Sequence, residues 1–403
     1  MPLPTLSRRL EGFQQSEIRR MSRECERAGG INLGQGICDL PTEPLVQEGA
    51  IEAIRQSRAT YSRFEGIDPL REKIAAKIAA YNGYDADPQK EIVVTVGSTG
   101  GFAAAALATL DPGDEVILFE PYYGYHVNTL RALGFATRFV TLEPPDWRID
   151  FDALRAAFGP RTKGIVVCTP SNPCGKVFTR EELAAIGTLC RERGAWAFTD
   201  EIYEYVVYDG RRHVSLASLP EGRETTITIS GFSKTFSITG WRIGYVTAPP
   251  AVASAIGLMN DLLYVCAPTP LQWGVARGLE IGDDYYRRLA EDYQKKRDAL
   301  AEALRDAGME PYVPQGAYYM LADVSGLGFE DSRDAATALL ERTGVASVAG
   351  SAFYESAVGQ RLLRFCFAKD FDVLDEACRR IRAAGKSNST RYDDAGLLRT
   401  ESR

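Results

Sequence analysis

Residues 230–245 read SGFSKTFSITGWRIGY and set one amine, Lys234, among small polar and aromatic neighbours instead of charges. An amine in such a setting is partly desolvated, which lowers its pKa and fits it to form a Schiff base with a carbonyl compound. A lysine that merely caps a strand end has the same local appearance, so this stretch alone leaves both readings open. Eight residues later Arg242 opens the next strand-like run.

Three other strand-like runs also end on residues with chemistry. IVVTV (92–96) leads into Gly97, Ser98, Thr99, Gly100 and Gly101, followed by an apolar helical stretch. Small residues at a helix start offer free N–H groups and the positive end of a dipole to a phosphate, although many plain turns are glycine-rich too. GIVVC (164–168) leads into Thr169, Pro170, Ser171, Asn172 and Pro173. The Asn172 amide can donate to a phenolic oxygen or can close an Asx turn. AWAFT (195–199) leads into Asp200, Glu201, Ile202 and Tyr203. A carboxylate within an apolar run is costly without a cation, and a protonated ring nitrogen is one such cation. A helix N-cap is the competing role for Asp200.

Bulk properties narrow the chemistry. The chain has 403 residues and a formal net charge of −7, which disfavours nucleic acid and anionic membranes as partners. No apolar run has the length of a membrane span, and the first residues lack a signal-peptide core, so the expected location is cytoplasmic. The eight cysteines are scattered without a CxxC pair, which argues for reduced thiols and no metal site. With only His126 and His213 present, acid–base work falls to Lys, Tyr, Asp or Glu.

The elements that must position these residues follow from hydrophobic pattern. From Glu91 to Ala248 continuous apolar runs, at 92–96, 115–119, 164–168, 195–199, 226–230 and 243–248, alternate with helical segments. Continuous hydrophobicity marks strands buried on both faces, and the alternation predicts an α/β fold with a largely parallel sheet. Ligands in such folds sit outside the carboxyl ends of the strands, where the residues above cluster. Helices are predicted at 16–27, 44–58, 68–80, 284–307 and 373–384, with strands at GAYYMLADV and RLLRFCFA. The expected organisation is an N-terminal segment of a small α+β domain (1–43), a large domain (44–283), the rest of the small domain (284–386) and a polar tail (387–403).

In order along the chain, NPCGKVFTREEL, DEIYE and SKTFSITGWRIGY resemble the fold-type I, class I/II pyridoxal-phosphate-dependent aminotransferases. The resemblance runs from about Ile31 to Ala368 and, through INLGQGICDLP, is nearest the kynurenine, glutamine and aromatic broad-specificity branch. It implies a large domain with a mainly parallel seven-stranded sheet between helices. It also implies that Lys234 carries the cofactor and shuttles the substrate α-proton, and that Asp200 pairs with the ring nitrogen. Asn172 and Tyr203 would bind the phenolic oxygen, and Tyr123 would stack on the ring. Ser98, Thr99, Gly100 and Arg242 would hold the phosphate. Arg364 and the backbone of Gly36 would receive the substrate carboxylate. Tyr61 would reach the phosphate of a neighbouring subunit, making a homodimer with sites at its interface. Tyr122 and Tyr125 are read as packing residues.

Two features depart from the family pattern. Cys38 stands where proline is common and is read as a small buried hydrophobe, and the doubled Gly100–Gly101 is read as loosening the helix start. The expected reaction moves an amino group from an aromatic or neutral L-α-amino acid to a 2-oxo acid. A C–S β-lyase or a biosynthetic cyclase or synthase would use the same motifs.

Overall fold

The structure is a computed structural model that describes Ser7 and residues 16–389. The apolar runs form a seven-stranded sheet in the spatial order 92–96, 243–247, 226–231, 196–200, 162–168, 115–120, 136–141. Every pairing is parallel except the two made by Ile243–Thr247. Residues 115–120 and 226–231 are buried along their whole length; the first carries the continuous run VILF, whereas in the second, TITISG, threonines alternate with isoleucines and are buried all the same. The seventh strand, Ala136–Thr141, has no such run. It lies at the sheet edge with only Val140 fully buried, so its sequence, ATRFVT, carries two polar side chains and an arginine.

The one reversed strand matters for the site. An antiparallel strand begins where its parallel neighbours end, so Ile243 pairs with Val96 and Gly244 with Gly231. Arg242 therefore stands beside Gly97, whose N–H donates to the Arg242 carbonyl at 2.9 Å.

A second, antiparallel sheet is built from Glu310–Tyr312, Tyr319–Asp323, Leu362–Cys366 and Val348–Ala349. The helices Asp283–Asp306 and Phe371–Ser389 pack together beside it. The N-terminal helix Glu17–Arg27 leads into Ile31–Asn32, which pairs in parallel with Val345–Ala346. One hydrophobic core joins Met21, Cys25 and Leu33 to Leu300, Leu304, Ala377 and Ile381.

Some helix ends differ from expectation. The helix from Pro44 stops at Arg55, where the Arg58 N–H turns back to the Ala53 carbonyl and Ser57 adopts a positive φ. The helix from Asp68 is regular to Lys77 and then widens into a π turn at Ile78–Asn82, closed by Gly83. The last helix runs on to Ser389, so the first residues of the expected tail are helical, and 390–403 lie outside the described residues. Among the described residues no helix is long and apolar enough to cross a membrane.

Candidate active site

A cavity of about 200 Å³ opens at the carboxyl ends of the parallel strands. Its lining includes Ser98, Thr99, Tyr123, Asn172, Asp200 and Tyr203, together with Lys234, Arg242, Gly36 and Arg364. Gly100 is buried just behind, and a Cβ there would come within 3.3 Å of the Tyr264 ring. Tyr61 is not in the lining and is 81% exposed.

Lys234 sits in the turn after Thr226–Gly231, where its Nζ donates to the Gly36 carbonyl at 3.3 Å. Burial lowers its pKa, and no carboxylate among the described residues forms an ion pair with it. The strand-capping alternative thus fails, because the amine faces a cavity instead of a strand end. Gly36 can approach this closely because it has no side chain: a Cβ would lie 1.8 Å from the Tyr319 hydroxyl.

Asp200 ends the strand Trp196–Asp200, and the chain then enters a turn, so it caps no helix. Its Oδ2 is 3.0 Å from His126 Nε2, and its Oδ1 accepts from the Ile202 N–H at 3.3 Å. His126 is the helper that sequence reading passed over. It lies three residues after Tyr123 on the next helix turn, and nothing in its sequence neighbourhood points to a partner 74 residues away.

Arg364 is 1% exposed, and no carboxylate among the described residues pairs with it. Nη1 donates to Asn172 Oδ1 at 3.0 Å and Nη2 to the Gly34 carbonyl at 2.6 Å, while Nε has no partner among the described residues. The guanidinium lies 4.4 Å from the Tyr319 ring centre and 4.6 Å from that of Phe353. A buried cation held only by neutral acceptors is costly unless an anionic ligand completes it. Since arginine only donates, the Asn172 oxygen must face it, which leaves the Asn172 amide N–H₂ as the free donor.

Tyr203 donates its hydroxyl proton to the Tyr319 hydroxyl at 3.3 Å. Burial pushes the Tyr203 pKa well above the ordinary tyrosine range, and burial also pushes Tyr319 up to about 12. Both phenols therefore remain protonated donors at neutral pH.

The helix Gly97–Thr109 starts with no acidic residue and no side-chain cap. The N–H groups of its first turn are thus open to an anion. Gly97 has φ +66°, and a Cβ there would fall 2.3 Å from the Arg242 guanidinium. Arg242 itself takes φ +58°, a strain of roughly 1–3 kcal/mol that fixes its side chain beside this turn. Its Nη1 donates to the Thr239 carbonyl at 3.0 Å. Gly101 does not loosen the helix as expected: a Cβ there would meet Val246 at 2.8 Å, so glycine permits tight packing on the sheet.

Tyr122 packs on Phe139 as expected, but Tyr125 lines the cavity, stacked 5.3 Å from Tyr123. Cys38 is a buried thiol 3.1 Å from Ser237 Oγ and Tyr293 OH, outside the lining. Glu201, Glu204 and His213 form a buried group of metal-type donors outside the cavity lining. Lys77 pairs with Glu204 at 2.5 Å, so an ammonium already supplies its counter-charge.

The set amounts to a buried amine of lowered pKa, a buried carboxylate, two protonated phenolic donors, an anion cup with an arginine, and a second arginine that meets no carboxylate among the described residues. Pyridoxal phosphate fits it: a carbonyl for Lys234, a ring nitrogen for Asp200, a phenolic oxygen for Tyr203 and Asn172, and a phosphate for the cup.

Residues 28–381 match the family described as aminotransferase class I and II. A probable N-succinyldiaminopimelate aminotransferase DapC of Mycobacterium tuberculosis is 36% identical over 394 residues, covering 95% of this chain and 99% of that protein. Human kynurenine–oxoglutarate transaminase 1 is 31% identical over 411 residues, covering 93% and 97%. The solved structure of N-succinyldiaminopimelate aminotransferase from Mycobacterium tuberculosis has a TM-score of 0.91 at 37% identity, covering 94% of this chain and 100% of that one.

Proposed function

The chain belongs to the class I and II aminotransferases, which work with pyridoxal 5'-phosphate, and from that premise we propose that it passes an amino group from a neutral or aromatic L-α-amino acid to a 2-oxo acid. It is a transaminase of fold-type I, related to the broad-specificity branch. The observation that carries the proposal is the pairing, in one cavity, of Lys234, whose pKa burial lowers, with a buried Arg364 that no carboxylate among the described residues answers. Ile18, Ile37 and the tyrosines 123 and 125 give the remaining wall an apolar and aromatic character, which supports neutral or aromatic side chains.

When bound, the cofactor supplies an electron sink for the pair left at the substrate α-carbon. Arg364 would receive the α-carboxylate on its fork and is held in orientation by Asn172 and Gly34. This fixes the α-hydrogen relative to Lys234, whose Nζ, its pKa lowered by burial, would take the proton and give it up again. Asp200, oriented by His126, would hold a proton on the ring nitrogen. Tyr203, released from Tyr319, and the Asn172 amide would donate to the phenolic oxygen. Ser98, Thr99, the Gly100 N–H and Arg242 would hold the phosphate, and Tyr123 would lie against the ring.

The test mixes cofactor-loaded enzyme with single amino acids, without oxo acid, in a stopped-flow spectrometer. The expected result is a shift of the near-visible band to shorter wavelength, with about one oxo acid released per site, fastest for neutral and aromatic donors. Ammonia and pyruvate released from a thioether without that shift would move the protein to the lyase reading.

We also propose that the working form is a homodimer, in the cytoplasm. Leu258, Leu262, Leu263, Tyr264 and Val265 form an exposed apolar row at one helix end, next to the phosphate cup through Tyr264, and Tyr61 is exposed as well. A patch of this kind favours association. All eight thiols are unpaired, as a reducing compartment allows. Leu262→Glu is expected to shift sedimentation towards monomer and to weaken cofactor binding by about tenfold or more. A variant that stays dimeric with unchanged cofactor affinity would count against this interface.

A further inference from the structure

In the reading above, Tyr203 meets the phenolic oxygen of the cofactor, and the second protonated phenol of the cavity, Tyr319, is left over. Tyr319 opens the strand Tyr319–Asp323 of the second sheet and is 3% exposed. Its ring lies 4.4 Å from the Arg364 guanidinium. A phenyl ring would serve that contact equally well, because a cation is attracted to the face of the ring and not to its substituent. The hydroxyl therefore has another use. A buried hydroxyl is costly unless a hydrogen bond answers it, and this one occupies space that Gly36 leaves open by having no side chain.

The partner is Tyr203. The two hydroxyl oxygens lie 3.3 Å apart, with the rings at 83° to one another. Tyr203 donates and Tyr319 accepts, and no hydrogen bond among the described residues has the Tyr319 side chain as its donor. Each phenol has one proton to give and lone pairs to receive another. When Tyr203 turns its proton to a phenolic oxygen it can no longer donate to Tyr319. Its own oxygen is then an open acceptor, and the unspent proton of Tyr319 stands beside it.

We propose that Tyr319 is a positioning residue that acts through Tyr203: its hydroxyl donates to the Tyr203 oxygen while Tyr203 donates onward to the phenolic oxygen. Hydrogen bonds in series polarise one another, and a dry site strengthens the effect. Tyr203 becomes a stronger donor, which favours negative charge on the phenolic oxygen and releases the proton of the Lys234 linkage at lower pH. The other titratable groups around the pair keep their charge through neutral pH. Arg364, on the neighbouring strand, is an arginine and remains a cation. Burial keeps the proton on Tyr318 and Cys366 beside Tyr319, and on Tyr123 and Cys168 beside Tyr203.

The inference rests on the placement of Tyr203 at the phenolic oxygen, and the test separates the two. Cofactor-loaded wild type, Tyr319→Phe, Tyr203→Phe and the double variant are titrated without substrate, and the pH midpoint of the near-visible absorbance change is read for each. Tyr203→Phe should raise the midpoint. Tyr319→Phe should raise it by about half a unit, roughly threefold in the protonation equilibrium and less than Tyr203→Phe. The double variant should match Tyr203→Phe, because Tyr319 then has nothing to act through. Tyr319→Phe keeps its ring on Arg364, so a packing role would leave the midpoint in place. A midpoint moved by Tyr203→Phe but held within about 0.1 unit in Tyr319→Phe would overturn the role of Tyr319 alone. A double variant shifted by the sum of the two single shifts would do the same, since Tyr319 would then act independently. A midpoint unmoved by Tyr203→Phe would overturn the placement of Tyr203, and this inference with it.

Discussion

Lys234→Ala is expected to remove the near-visible absorbance of the cofactor-loaded protein and to lower turnover by on the order of 10⁴-fold or more. The size of the effect follows from the absence of a substitute. Lys176 and Lys369 are also buried, but each is paired with a carboxylate, Glu182 and Asp39 respectively, and the buried Lys296 lies against the Tyr293 and Phe371 rings outside the cavity lining. Among the described residues Lys234 is the one lysine in the cavity lining. Stability should move the other way. Burial puts the folded-state pKa of Lys234 below its ordinary value of 10.5, so folding penalises the charged form below that value, and the penalty fades as pH rises through it. At pH 7 the cofactor-free variant should therefore melt no lower than cofactor-free wild type. A spectrum unaltered by the substitution would remove Lys234 from the chemistry.

Arg364→Leu should lower kcat/KM by roughly 10²–10³ for every amino donor, whatever its side chain, while the cofactor absorbance persists. The uniformity is the diagnostic feature, since the α-carboxylate is common to all donors and Arg364 is the one buried arginine in the lining. Its effect on stability is the sum of opposed terms. The Asn172 oxygen and the Gly34 carbonyl each lose a donor, at about 1–3 kcal/mol per buried group, while an unpaired buried cation is relieved. Steady-state rates with three unrelated donors, alongside a cofactor titration, check the expectation. Loss of cofactor with an unchanged KM would contradict it.

These two residues differ in how far the sequence announced them. Lys234 sits in a tract suited to burial, and Arg364 stands inside the apolar run RLLRFCFA, where an arginine is unexpected without an anion. Arg19, which also lines the cavity, gave no such signal. It lies on an amphipathic helix rich in charge, where one more arginine looks like solvated surface. Tyr125 was misread for a related reason: in EPYYGYH three tyrosines differ only in which way the following helix turns them.

What the sequence determined by itself is the α/β architecture and the ends at which chemistry collects. Buried parallel strands need unbroken apolar runs, and the residue that follows each run must lie at the sheet's carboxyl edge. That local rule reached Ser98, Asn172, Asp200 and Lys234 without any long-range information. It missed the edge strand Ala136–Thr141, because a strand covered on fewer sides does not have to be apolar throughout.

Tertiary structure decided the rest, because the remaining contacts join segments whose separation no local pattern records. Gly36 meets Lys234 across 198 residues, Asn172 meets Arg364 across 192, and His126 meets Asp200 across 74. The first two depend on how the N-terminal segment and the second sheet pack over the strand ends, and the third on how the helix Gly124–Leu133 packs on the large sheet. That packing is driven by burial of Met21, Leu33 and their neighbours, and burial is non-directional: it requires an apolar face, but it does not say which polar groups the closing of that face will bring together.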